Sequence, residues 1–152
     1  MRNTLYERDF FAWANEQAAL LRAGRLSEAD VENIAEEIES MGRSEKRELT
    51  SRLKVLLTHL LKWQCQPGLR SKSWRNTIEG QREDVAEHLA DNPSLTDKLP
   101  TEFVSAYRKA IRAAAEETGF DRRIFPPVCP WTYEQVMDND FWPAETSGET
   151  MA

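Results

Sequence analysis

Between Ser44 and Gln66 the apolar residues Leu49, Leu53, Leu56, Leu57, Leu60 and Trp63 recur every three or four positions. At ~100° per residue they fill about a third of a helical circle, and Val55 and Leu61 widen the arc on both sides. So wide an apolar face predicts a central, buried helix that ends at Pro67-Gly68. The same period runs through the neighbouring segments, and β alternation is absent. The chain is therefore confined to an all-α fold.

A first helix is predicted over 4–24. It opens on a Thr4/Glu7 capping box and stops at Gly24, with Leu5, Phe10, Trp13, Ala14, Leu20 and Leu21 on or near one stripe. A second is predicted over 26–42. Ser27 and Asp30 have capping-box spacing, Leu26 and Val31 fit a hydrophobic staple, and Gly42 fits a stop. Val31, Ile34, Ala35, Ile38 and Met41 form its expected buried face. After the central helix, Lys72 to Asp91 carries the seam Trp74, Ile78, Val85 and Leu89, closed by Pro93. A further helix over 101–119 places Phe103, Tyr107, Ala110, Ile111 and Ala114 inward and ends at Gly119. Pro126, Pro127 and Pro130 then impose an extended connector. A Thr132/Gln135 capping box with a Trp131/Val136 staple starts a last short helix. The expected architecture is an antiparallel bundle of about five helices plus a short C-terminal helix and a Pro-rich wrapping segment. One domain over 1–143 and a flexible tail over 144–152 are expected.

Charge is unevenly placed. Residues 1–42 hold 4 basic and 9 acidic side chains, residues 43–82 hold 10 and 3, and residues 83–152 hold 6 and 14. Either the basic middle packs against its acidic flanks or it faces an external anion such as nucleic acid. Self-complementation is favoured, because acidic flanks within a Debye length of ~8–10 Å screen a patch from a polyanion. No apolar run approaches the ~18–20 residues of a membrane span, and the N-terminal residues lack a signal-peptide core. A cytoplasmic location without a membrane partner is expected. Cys65 and Cys129 stand in no C-x-x-C and read as ordinary buried thiols.

Chemistry-bearing candidates are few. His59 lies inside the apolar arc. It is a general base or metal ligand, or a core-edge histidine bonded to an acid on a neighbouring helix. Glu36, Glu37 and Glu39 have a spacing that suits Mg²⁺, but a second acidic pair with the right spacing is missing. Solvated face and ion pairs is the simpler reading. Arg75 and Arg82 share a helix edge that could clamp a phosphate or bridge to acids. His88 and Asp84 are four apart and read as structural. Lys62, Arg70, Lys72 and Arg75, with Trp63 and Trp74 nearby, would serve a nucleic-acid binder, although both tryptophans fall on apolar seams. No Gly-rich phosphate loop, zinc set or nucleophile–base pair occurs, so neither cofactor nor bound metal is expected.

The run "NIAEEIESMGRSEKRELTSRLKVLLTHLLKWQCQP", then "SWRNTIEGQR", "AYRKA", "AAEETG" and "FPPVCPW", resembles a bacterial family known as Domain of Unknown Function 29. The resemblance covers roughly Leu5 to Pro143, and "HLLKWQ.QP" with "SW" downstream is its most specific part. It implies an all-helical bacterial domain and carries no activity or catalytic residues. The family pattern commonly has an aromatic where Cys65 stands, which implies that this thiol is not essential. Three functions follow in order of fit: a non-catalytic, regulatory or antitoxin-like module that binds another protein; a metal-dependent nucleotide hydrolase using Glu36, Glu39 and Arg82; and a basic-patch nucleic-acid binder. Sequence leaves the oligomeric state open.

Overall fold

The computed structural model describes residues 5–144. Among them lie six α-helices and no strand: α1 Leu5–Arg8, α2 Phe10–Arg22, α3 Val31–Cys65, α4 Lys72–Asp91, α5 Leu99–Thr118 and α6 Tyr133–Met137. The all-α expectation holds. No helix among the described residues is long and apolar enough to cross a membrane. Two compact units divide the chain, Met1–Glu45 and Lys46–Ala152.

In the first unit the predicted single helix is interrupted at Asp9. Its φ of −149° leaves the helical region, and its carboxylate accepts a hydrogen bond from the Ala12 amide at 3.1 Å, so it caps α2. Thr4, half of the expected opening box, lies outside the described residues. Gly24 stops α2 as expected. It adopts φ 73°, its amide reaches the Leu21 carbonyl, and the Arg25 amide reaches Leu20 at 2.9 Å. That pair of bonds is a Schellman motif, which needs the left-handed residue glycine supplies without strain.

The expected start of the second helix is corrected. Residues Leu26–Glu28 form a short 3₁₀ turn, and the α-helix begins only at Val31. Asp30 is the organising residue. Its carboxylate accepts from Trp13 Nε1 at 2.9 Å and Asn33 Nδ2 at 2.8 Å, while its own amide donates to Gln17 Oε1 at 2.7 Å. Leu26 and Val31, the supposed staple, are each 61% exposed.

The expected stop at Gly42 is also corrected, since α3 runs through it unbroken, 35 residues in all. A glycine in a helix interior costs only ~1 kcal/mol relative to alanine, and no proline follows to enforce a break. Arg43 spans the position with Glu36 at 3.1 Å and Glu39 at 3.8 Å. Gly42 lacks the positive φ of a stop, and a Cβ there meets nothing within 4 Å. Gly42→Ala is therefore expected to raise stability by about 0.5–1 kcal/mol, read as a higher urea midpoint. A lowered midpoint would show that the helix breaks there.

The second unit holds the core. Leu49, Leu53, Leu56, Leu57, Leu60 and Leu61 of α3 are all fully buried, as the leucine stripe predicts. Against them lie Ile78 and Val85 of α4 and the small residues Ala106, Ala110 and Ala114 of α5. Pro67–Leu69 forms the turn after α3, and Ser71 caps α4 through the Trp74 amide at 3.1 Å. The Pro-rich connector packs back on this core: Phe125 is buried, and the Tyr107 hydroxyl donates to the Pro126 carbonyl at 2.7 Å. The Thr132/Gln135 capping box forms as expected, with Trp131 and Val136 buried.

Candidate functional site

Within the second unit, the cations that made the α3–α4 corner resemble a binding surface are already engaged. Lys62 is 8% exposed, stands 4.7 Å from the Trp74 ring and meets Glu117 of α5 at 3.1 Å. Arg70 donates to the Trp63 carbonyl at 2.8 Å and covers that ring at 5.0 Å. Arg75 lies 4.4 Å from the Trp142 ring and pairs with Glu79 at 3.5 Å. Trp63 and Trp142 face each other at 4.6 Å. Of the four residues proposed for nucleic acid, only Lys72 is left without such a contact among the described residues. Cation–π contacts of this kind contribute ~0.5–2 kcal/mol and fix geometry.

Arg82 is not at a phosphate clamp. It is 2% exposed, and its guanidinium donates from Nε to the Val136 carbonyl at 2.8 Å and from Nη2 to the Phe141 carbonyl at 2.7 Å. Burial pushes its pKa down, partly offset by Asp138 and Glu79. The guanidinium also lies 5.2 Å from the Trp142 ring, so this residue fastens the C-terminal segment to α4.

The two histidines have different partners. His59 Nδ1 bonds the Val55 carbonyl one turn back at 2.9 Å, rather than an acid on another helix. Its half-burial lowers the pKa; the Val55 bond opposes that, Lys62 adds to the lowering, and Glu117 opposes it. His88 is the buried histidine with an acidic neighbour, Glu48 of α3 at 3.8 Å. Arg52 ties the same group together, contacting Glu48 at 2.7 Å and Asp84 at 3.0 Å. The hydrogen bond from Arg52 holds Glu48 below its usual pKa. Burial pushes the Cys129 thiol up to about 11, so it is protonated and inert at neutral pH.

In the first unit, Glu36 and Glu39 both turn to Arg43, while Glu37 accepts from the Tyr6 hydroxyl at 2.6 Å. Glu36 and Glu39 thus share one cation while Glu37 takes a separate hydroxyl. The feature that sequence reasoning missed is apolar. Among the described residues, seven of the ten exposed large hydrophobics, including Phe10, Phe11, Ile38 and Met41, fall between positions 10 and 41. Phe10, Ala14, Ala18 and Leu21 of α2 face Ile34, Ile38 and Met41 of α3 across an open groove of about 290 Å³. Ile38 and Met41 are 59% and 60% exposed, so the expected buried face of this segment is a surface. Alternating stripes betray an apolar face but not whether anything covers it. Tyr6, Phe10 and Trp13 brace one end as a ring cluster with centroids 4.7–5.8 Å apart.

No curated protein and no solved structure matches the chain. One family does, and it spans both units: residues 5–142 match the family described as Domain of unknown function DUF29, and the chain belongs to that family.

Proposed function

We propose that the protein is a non-catalytic, cytoplasmic regulatory module that binds another protein through the first unit. The observation that carries this reading is the open groove of α2 and the first turns of α3. Contiguous exposed apolar surface of this kind is uncommon on a soluble chain unless a partner covers it. Engagement of Lys62, Arg70, Arg75 and Arg82 by rings, carbonyls and acids supports it further, because these contacts tie the corner's cations to the fold. Ile38→Asp combined with Met41→Asp places two charges on the groove without touching the leucine core. The double variant is expected to lose the partners that the parent chain retains on affinity capture from a bacterial lysate. Retention of the same partners by the variant would overturn the reading.

A further inference from the structure

Residues 83–152 hold only 6 basic side chains against 14 acidic ones, and three of the six converge on one hollow. A cavity of about 470 Å³ lies between α5 and the Pro-rich connector, lined by Arg108, Ile111, Arg122, Arg123, Phe125 and Pro127. None of these described lining residues is acidic, and all belong to the second unit. Arg108 and Ile111 stand one turn apart on α5, and the 3₁₀ turn Arg122–Ile124 delivers Arg122 and Phe125 to the same place. Phe125 is 2% exposed, and the Tyr107 hydroxyl holds the Pro126 carbonyl at 2.7 Å, so the floor is anchored to the core before any ligand arrives.

Two of the three arginines have no counter-ion. The positions three and four from Arg108 along α5 are Val104, Ser105, Ile111 and Arg112, none of them acidic. Asp121 adjoins Arg122, but Arg123 takes both its oxygens: Oδ1 accepts from the Arg123 amide at 2.9 Å and from Nε at 3.1 Å, and Oδ2 accepts from Nη2 at 3.0 Å. Among the described residues the side chains of Arg108 and Arg122 have no ion pair, hydrogen bond or ring contact. The α3–α4 corner is the reverse case, since Lys62, Arg70, Arg75 and Arg82 are all engaged there.

We propose that this hollow binds a small organic anion, its phosphate or carboxylate held by Arg108 and Arg122 and its flat apolar body laid on Ile111, Phe125 and Pro127. Guanidinium forks match the oxygens of either head group and also stack on aromatic faces. Sites for small molecules commonly have ~300–1,000 Å³ of space and a mostly apolar lining with a few placed polar groups. A bare inorganic ion would leave the apolar floor unused and would be held only by exposed charges, which contribute little. A long polyanion would run from the hollow onto a chain of net charge −6. The inference goes beyond the docking face of the first unit and does not rest on it.

The test is an NMR titration of the full chain with naphthyl phosphate, naphthoate, naphthol and inorganic phosphate at neutral pH. At least one of the two naphthyl anions is expected to bind about tenfold more tightly than neutral naphthol and than inorganic phosphate, with saturable shifts at the Ile111 and Phe125 amides and weaker binding as salt rises. The ratio of the two anions then identifies the head group. Arg108→Gln with Arg122→Gln is expected to weaken the better anion about tenfold, with an unchanged unfolding midpoint because both side chains are exposed. Lys98→Gln with Lys109→Gln removes the same charge from exposed positions outside the hollow, and binding is expected to stay within about twofold of the parent. Equal binding of naphthol, equal binding of inorganic phosphate, or equal losses in the two double variants would overturn the proposal. So would the absence of saturable binding of either anion below about 5 mM. Tighter binding of a peptide of alternating Glu and Leu than of any naphthyl probe would overturn it in favour of an acidic protein segment.

Discussion

Replacing Arg82 with alanine is expected to lower stability by about 3–5 kcal/mol and to loosen the segment that follows α6. The side chain is 2% exposed and makes two charge-assisted bonds, to carbonyls 54 and 59 residues further along the chain. Each such bond contributes ~1.5–3 kcal/mol net, and truncation also strands both carbonyls. The Trp142 ring loses a cation from its face at the same time. Urea denaturation measures the loss, and limited proteolysis should cut first between Met137 and Trp142. Arg82→Lys keeps the charge but not the fork, so an intermediate loss is expected. A change below about 1 kcal/mol in Arg82→Ala would mean that the C-terminal segment is held by its aromatic contacts alone.

Leu57→Ala should be comparably severe, for a different reason. Leu57 is fully buried among Leu53, Leu56, Leu60 and Leu61, so truncation leaves a cavity that rigid neighbours on α4 and α5 fill poorly. Leucine-to-alanine changes at such sites cost about 3–5 kcal/mol. Equilibrium unfolding should show the midpoint fall with little change in slope. A small loss would mean that the second half of α3 is not the centre of the core.

These two residues also mark what sequence reveals and what it hides. The leucine stripe of Leu49 to Leu61 is local: its period and width are enough to place it at the centre. The Thr132/Gln135 box, the Gly24 and Gly119 stops and the Pro67-Gly68 corner are equally local, and all form. Arg82 is the opposite case. Its carbonyl partners lie more than fifty residues away and leave no trace in composition or spacing, so the sequence offers a clamp or a bridge to acids and not the strap. Gly42 misleads because a glycine at the end of a periodic run resembles a stop. Arg43, paired backward to Glu36 and Glu39, lets the helix pass through. The histidines follow the same logic, since the acid beside His88 comes from Glu48 on another helix.

The candidate surface is the subtlest of these. Val31, Ile34, Ile38 and Met41 are legible as an apolar stripe, and a stripe is ordinarily a buried face. Sequence cannot show that α2, with Ala14 and Ala18 on its inward line, is too slight to cover it.

Equilibrium unfolding of the Ile38→Asp, Met41→Asp double variant tests most directly whether this stripe is a surface or part of the core. With both side chains about three-fifths exposed, the unfolding free energy should stay within about 0.5 kcal/mol of the parent. A loss of several kcal/mol, the ordinary result of burying an unpaired carboxylate, would contradict the docking face and return these residues to the core.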